Sequence, residues 1–262
     1  MPKIVFFDLD RTTWDDKMEV PESTIKAIEK LHQNGHLAFI CTGRARANID
    51  DDRIKEIGFD GVVAACGNHI EMNGKVLYEN TLSSELIAKA LALFDKYNMP
   101  AIIEGPEFHW FDTQKFVQRE FVQLLWDSMG SKAKPLSEFK ANEKVSKFTA
   151  DIIKKTDADA VMDALKDEMD FIIHYGKAIE FIPKGTSKAT GIRDTCRLLN
   201  IPHENTYAIG DGPNDLTMLE YVEHGIAMGN GTCEAKEVSE YVTDDIHENG
   251  IYNALKHYKL IA

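Results

Sequence analysis

The stretch Lys3-Ile4-Val5-Phe6-Phe7-Asp8-Leu9-Asp10 constrains this chain more than any other. Four consecutive apolar residues, two β-branched and two aromatic, predict a strand buried on both faces, as in a parallel sheet covered by helices. The run ends in two carboxylates one residue apart. Extended backbone sends residues i and i+2 to the same side. Asp8 and Asp10 are therefore expected together at the strand's carboxyl end, the edge at which open α/β sheets bind ligands. Two carboxylates there repel each other unless a cation or a shared proton compensates them. A hard divalent cation with oxygen ligands, such as Mg²⁺, does so directly. A strand that simply ends in solvated acids is the plain alternative, which a short motif by itself does not exclude.

The chain then repeats this pattern. Helix signals run from Pro21 to Asn34-Gly35, with Ile25, Ile28 and Leu31 on one face. A second apolar strand, 37–41, ends in Thr42-Gly43-Arg44, and a short helix leads to a third over 62–66. This β-α-β-α-β order predicts a parallel sheet with right-handed crossovers. Residues 69–78 alternate about Asn73-Gly74, the signature of a hairpin with a type I′ turn. The character changes near Leu82. There follow a helix over 83–97, two short strands within 100–111, a helix through 116–126 and a strand over 144–153. A helix over 157–168 and two strands within 171–182, broken at Tyr175-Gly176, complete what is expected to be a small α/β sheet of two strand-helix-strand units. From Gly185 the first pattern resumes: a helix with Ile192, Cys196 and Leu199, strands at 206–210 and 224–228, a helix from Leu216 and a last one over 250–258. The expectation is a Rossmann-like α/β sheet domain, residues 1–81 and 184–262, interrupted by a second domain over 82–183.

A chain of 262 residues has room for two domains and a core that needs no covalent staples. Lys and Arg number 30 against 43 Asp and Glu, a net charge of −13. That balance argues against a nucleic-acid or anionic-membrane surface. A phosphorylated small molecule must then be attracted locally, by a metal or a few placed cations. The four cysteines, Cys41, Cys66, Cys196 and Cys233, include no CxxC pair, so neither a zinc site nor a disulfide framework is indicated. Cys41 and Cys66 close apolar runs and are expected to pack in the core. With no signal-peptide pattern and no apolar stretch approaching 18 residues, a cytoplasmic protein is expected, as a monomer or homodimer.

Four predicted strand ends or helix starts carry polar groups that together suit a phosphate site. Asp8 is the candidate nucleophile, because a carboxylate can attack phosphorus and split one hard displacement into two easier ones. Asp10 is placed to protonate the leaving oxygen and later to deprotonate water. Thr42 offers a hydroxyl and Gly43 an unobstructed N–H to phosphoryl oxygens at a predicted helix start. Lys188, in the first turn of the Gly185 helix, would screen negative charge, with Lys184 as competitor for that role. Asp211 and Asp215 add hard oxygens for a cation, Gly212 and Pro213 shape their turn, and Asn214 can donate to substrate. Taken singly, Thr42 also suits a helix cap, Lys188 a solvated helix face and Asp211 to Asp215 a turn. Their occurrence together, at four element ends in order, is what points to chemistry.

The segments Asp8-Leu9-Asp10-Arg11-Thr12, Thr42-Gly43-Arg44, Lys188 and Gly210-Asp211-Gly212-Pro213-Asn214-Asp215 resemble the four motifs of the haloacid dehalogenase (HAD) superfamily of phosphatases, over the whole chain. The resemblance implies Asp8 as nucleophile and Asp10 as acid and base. It implies Mg²⁺ held by the Asp8 carboxylate, the Asp10 carbonyl and Asp211. Phosphate would be held by Thr42, Gly43, Lys188 and Asn214, with Asp215 and Arg44 in support. Only 32 residues separate Asp10 from Thr42, room for a loop and one helix, whereas 146 separate Thr42 from Lys188. An insertion is therefore expected in the longer interval; its place and α/β element order resemble the Cof-type (class IIB) sugar-phosphate phosphatases, a resemblance that implies an α/β cap of the C2 type. Three positions depart from the pattern. Arg11 stands where the family usually carries Gly, Thr13 replaces an aliphatic residue, and Cys66-Gly67-Asn68 replaces an Asn-Gly turn.

In the cap, His109 and Trp110 in one turn, and His174 and Tyr175 in another, are the candidates for substrate contact, against the alternative of ordinary hairpin or core aromatics. A phosphatase of small organic phosphates, sugar phosphates foremost, is expected. A phosphomutase would share all four motifs and differ in what accepts the phosphoryl group. A catalytically weak, phosphometabolite-binding relative would lack Asp8 or Asp10, and both are present. A dinucleotide-binding enzyme requires GxGxxG after the first strand, where Asp8-Leu9-Asp10 stands instead.

Overall fold

A computed structural model describes residues 1–49, 52–115, 120–153, 156–174 and 177–262. In chain order the strands are β1 (Ile4–Phe7), β2 (Leu37–Cys41), β3 (Gly61–Ala64), β4 (His69–Met72), β5 (Lys75–Glu79), β6 (Ala101–Glu104), β7 (His109–Phe111), β8 (Ala133–Pro135), β9 (Lys147–Asp151), β10 (Met169–His174), β11 (Ala178–Pro183), β12 (Thr206–Gly210), β13 (His224–Ala227) and β14 (Tyr241–Val242). The α-helices are α1 (Glu22–Gln33), α2 (Asp52–Ile57), α3 (Ser84–Lys96), α4 (Glu120–Met129), α5 (Ala158–Leu165), α6 (Lys188–Leu199), α7 (Leu216–Tyr221), α8 (Cys233–Val238) and α9 (Gly250–His257). They form two compact units. One comprises Met1–Gly43, Asp50–Tyr78 and Ser187–Ala262, the other Arg44–Ile49 and Glu79–Thr186.

In the first unit eight strands form one sheet in the order β14-β13-β12-β1-β2-β3-β4-β5. The opening strand lies in its middle, parallel to β12 on one side and β2 on the other, with Phe7 opposite Ile209 and Ile40. Both of its faces are covered. Val5 and Phe7 pack with Ala27, Ile28 and Leu31 of α1 and Leu255 of α9. Ile4 and Phe6 pack with Phe39, Ile192 of α6 and Met218 of α7. This two-sided burial is why the strand is apolar throughout rather than alternating. After β3 the chain turns back antiparallel into β4. The β4–β5 turn has positive φ at both Asn73 (50°) and Gly74 (75°), the type I′ geometry their sequence predicts.

The third strand stops at Ala64, two residues short of its predicted end, because Ala65, Cys66 and Gly67 all take positive φ (50°, 54° and 92°). The Cys66 N–H donates to the carbonyl of Thr42 (3.2 Å), and the Asn68 side chain donates to the carbonyl of Ala65 (2.7 Å). A Cβ at Gly67 would meet the Ser187 carbonyl at 2.5 Å, so only glycine lets this loop lie against the start of α6.

The second unit has a six-stranded sheet in the order β10-β11-β9-β6-β7-β8, antiparallel except between β7 and β8. Its strands and helices follow the expected order, with one addition: β8 was not legible, since Ala133-Lys134-Pro135 carries neither alternation nor an apolar run. The helix expected through 116–126 is found as Glu120–Met129, and 116–119 lie outside the described residues. Ile87, Ala90 and Phe94 of α3, with Val161 and Leu165 of α5, pack on Ile103, Phe148, Ala150, Ile179 and Phe181. On the opposite face Ile102 and Phe111 meet Val122 and Met129 of α4.

That opposite face also carries a buried charge cluster. Lys147, paired across the strands with Glu104, donates to Glu180 Oε2 at 2.6 Å and lies 3.5 Å from Glu104 Oε1. Thr149 donates to Glu104, and a ring nitrogen of His174 lies 2.9 Å from Glu180 Oε1. Burial works to raise the Glu180 carboxyl, but Lys147 and His174 outweigh it and bring it down to about 2. Burial raises Glu104 despite Lys147. Replacing Lys147 by Met strands two buried carboxylates, an expected loss of about 3–5 kcal/mol in the urea unfolding of this unit. Because the Glu180 carboxyl lies below its ordinary value, its contribution is complete above about pH 4.5 and is lost as pH falls toward 2. The difference in unfolding midpoint between wild type and Glu180→Gln should therefore shrink through that window, measured by far-UV circular dichroism.

Candidate active site

At the carboxyl end of β1, Asp8 and Asp215 converge on one ammonium group. Asp8 and Lys188 are both 2% exposed, and Lys188 Nζ donates to Asp8 Oδ1 at 2.5 Å and to Asp215 Oδ1 at 2.5 Å. Lys188 occupies the first position of α6, behind a capping box in which Ser187 and Thr190 exchange side-chain-to-backbone bonds. The helix start is therefore rigid where the ammonium leaves it. Lys184, the competitor, belongs to the other unit and pairs with Asp170 on the surface.

Asp215 has both oxygens engaged. Its Oδ2 accepts from the backbone N–H groups of Asp211 and Gly212, each at 2.9 Å, while Oδ1 accepts from Lys188. It thus shapes the loop after β12 and anchors the lysine. A Cβ at Gly210 would meet the Asp215 carboxyl carbon at 2.7 Å, so the strand must end in glycine for this carboxylate to fold back over it. Asn214 is exposed, with its side chain beside Gly212.

Three of the four residues after Asp10, a stretch that looks irregular in sequence, are interior. Thr12, Thr13 and Trp14 are fully buried. Thr12 donates to Asp211 Oδ1 (3.2 Å), Thr13 to the carbonyl of Asp8 (2.6 Å), and Trp14 Nε1 to Asp10 Oδ1 (3.0 Å). Asp10 itself is exposed. No periodicity marks these three residues, because Thr12 and Trp14 are recruited by carboxylates and Thr13 by a backbone carbonyl rather than by a core stripe. Arg11 takes φ 62°, a left-handed conformation that disfavours any residue with a Cβ by about 1 kcal/mol. The glycine usual at this position has no such penalty.

Thr42 is buried at the end of β2, its N–H donating to the Val63 carbonyl (2.9 Å). The α-helix expected directly after Gly43 is absent. A 3₁₀ segment, Arg46–Ile49, follows instead, and Arg44 falls in the second unit. His109 and Trp110 lie in strand β7 rather than in a turn, where alternation buries both. Trp110 packs edge-on against Phe139 (5.0 Å between ring centres) within the core under α3 and α5. His109 is fully buried with neither ring nitrogen hydrogen-bonded among the described residues. Burial, together with Lys147 and Lys132, drives its pKa down to about 3, so it is neutral. His174 ends β10 and pairs with Glu180; Tyr175 lies outside the described residues.

The electrostatics ask for a cation. Asp8, Asp211 and Asp215 each offer an oxygen within 4.8 Å of the others, all three are buried, and the Lys188 ammonium is bonded to Asp8 and Asp215. Burial, Asp215 and Asp10 raise the Asp8 carboxyl well above its usual range, against Lys188. Burial and Asp215 push Asp211 up to about 6, against Arg11, Thr12 and Lys188. Burial opposes the charge on Lys188, but Asp215 and Asp8 outweigh it and hold the ammonium well above its ordinary value. An all-oxygen donor set with excess negative charge fits a hard divalent cation.

The model of haloacid dehalogenase-like hydrolases matches residues 5–255, and the chain belongs to that family. Within it, this is a Cof-type HAD phosphatase, a hydrolase acting on phosphate esters. Over 263 residues it is 30% identical to the "Putative phosphatase YkrA" of Bacillus subtilis (strain 168), covering 99% of this chain and 98% of YkrA. It is 24% identical to the 5-amino-6-(5-phospho-D-ribitylamino)uracil phosphatase YitU of the same organism, covering 98% and 97%. Among solved structures, the HAD subclass IIB sugar phosphatase BT4131 superposes with a TM-score of 0.83 at 28% identity, over 99% of this chain and 100% of that one.

Since ionised Asp8 is one buried charge too many without a cation, Asp8→Asn should stabilise the metal-free protein, by about 1 kcal/mol. Lys188→Met leaves Asp8 and Asp215 unpaired and should destabilise by about 3–5 kcal/mol. Chemical denaturation in a chelating buffer measures both.

Proposed function

We propose that this phosphatase hydrolyses small organic phosphate monoesters, sugar phosphates foremost, through an aspartyl-phosphate on Asp8, with Mg²⁺ as its cofactor. The observation that carries this is the grip of Lys188 on Asp8 inside a buried cluster of carboxylates. A carboxylate oriented by a fixed ammonium and stripped of water is a competent nucleophile toward phosphorus. The Asp8 and Asp211 carboxylates and the Asp10 carbonyl would hold the ion. When bound, it supplies the positive charge that keeps Asp8 ionised and polarises the phosphoryl oxygens.

Asp8 attacks phosphorus, and the P–O bond to the alcohol breaks. Asp10, oriented by Trp14, gives the departing alkoxide its proton. The same carboxylate then takes a proton from water, which attacks the aspartyl-phosphate and releases inorganic phosphate. Lys188 screens the charge that accumulates between Asp8 and the phosphoryl group. Thr42 and Gly43 at the end of β2, with Asn214 beside the β12 turn, are the residues assigned to phosphoryl oxygens. The substrate class draws support from the relatives. BT4131 is a sugar phosphatase by name and YitU a phosphatase of a phosphoribitylamino compound by name, so both names describe a phosphate on a polyhydroxylated carbon skeleton.

Purified Asp8→Asn should lose Mg²⁺-dependent hydrolysis of an aryl phosphate by a factor on the order of 10³ or more, and Asp10→Asn by about 10²–10⁴. Wild-type rates in Asp8→Asn would exclude the aspartyl-phosphate. With a panel of sugar phosphates, release of inorganic phosphate is the expected product. An isomerised sugar phosphate without release would identify a phosphomutase.

A further inference from the structure

Arg11 is a departure that the phosphatase chemistry does not use. Its backbone is held at φ 62° by a reciprocal clamp: Asn230 Nδ2 donates to the Arg11 carbonyl (2.8 Å), and Arg11 Nη2 donates to the Asn230 carbonyl (3.4 Å). The clamp aims the guanidinium at Asp211. Arg11 Nη1 lies 3.8 Å from Asp211 Oδ2, the oxygen that Thr12 leaves open by bonding Oδ1. On its other side, Arg11 Nε is 3.7 Å from Asp16 Oδ1, at the lip of a cavity of about 420 Å³ whose walls carry the acids Asp15, Asp16, Glu19 and Asp245 against Lys17 and His247. The side chain is about half exposed (47%), so it can move between the two.

We propose that Arg11 sets the affinity of the carboxylate cluster for its divalent cation by competing for Asp211, so that metal loading sends the guanidinium from Asp211 to the acidic cavity beside it. This rests on the assignment of Asp211 as a metal ligand under the proposed function. A guanidinium and a divalent cation on one carboxylate oxygen repel each other, so the ion must either displace the arginine from Asp211 or bind against its charge, and either weakens the ion's binding. Without metal the same guanidinium offsets part of the excess negative charge. The acids of the cavity give it a second partner in water-accessible surroundings, so its departure strands no charge.

Isothermal titration of Mg²⁺ into metal-stripped full-length protein, at constant ionic strength, tests the proposal. Arg11→Gln should tighten Mg²⁺ binding at least about threefold, as loss of one half-exposed charge pair allows. Arg11→Lys, which keeps the charge, should stay within about twofold of wild type. Arg11→Gly, which suits φ 62°, should tighten binding as Arg11→Gln does, so a folding defect in the glutamine variant cannot decide the result. A residue of purely structural role would weaken binding or leave it unchanged on replacement. Wild type that binds Mg²⁺ while Arg11→Gln and Arg11→Gly bind no more tightly overturns this inference alone. Wild type that takes up no Mg²⁺ overturns the metal assignment, and this inference with it.

Discussion

The first unit depends on one ammonium group held out of water between carboxylates. Lys188 joins the end of β1, through Asp8, to the loop after β12, through Asp215. A buried lysine is tolerable only with good geometry and satisfied neighbours, and the local structure supplies both. The Ser187–Thr190 capping box fixes where α6 begins, Gly67 allows the β3 loop to lie against that beginning, and two backbone N–H groups hold the far oxygen of Asp215. Each detail makes sense as a means of placing one charge. The excess of acid that remains is compatible with a divalent cation, for which an already neutral cluster would have little affinity.

The second unit solves a similar problem with a different outcome. Lys147 lies between Glu104 and Glu180 as Lys188 lies between Asp8 and Asp215, but here a hydroxyl and a histidine complete the bonding of the acids. Among the described residues, the group of acids close enough to share an ion is the one on β1 and β12. Nearby, His109 stays neutral because burial and two lysines both work against its protonation. Two polar clusters of related composition therefore differ in charge balance, and charge balance separates a candidate reaction site from a buried ionic network.

Much was legible from residue order alone, and the reason is physical. A strand covered on both faces must be apolar along its length, so Ile4 to Phe7, 37–41 and 206–210 announce a parallel sheet, and the polar residues that end them announce its ligand edge. The Asn73-Gly74 turn is equally explicit, because its two left-handed residues demand those side chains. Less was legible where a partner distant in sequence makes the decision. Thr12, Thr13 and Trp14 are interior because Asp211, Asp8 and Asp10 need donors, and no local pattern reports that. Strand β8 exists because β7 offers it an edge, and the left-handed run at 65–67 follows from the approach of α6.

The sequence by itself determined the order of elements and the apolar strands whose ends carry the acids, because covalent spacing and hydrophobic period are properties of neighbours along the chain. Only the tertiary structure decided how the acids divide their work. Asp8 and Asp215 share one ammonium; Asp215 is tied up by backbone N–H groups; Asp211 keeps an oxygen open toward Arg11; and Asp10 is exposed while it accepts from the buried Trp14. Those roles are set by burial and by donors up to about two hundred residues away in the chain, and desolvation, which makes one carboxylate unlike another, exists only once the chain has folded.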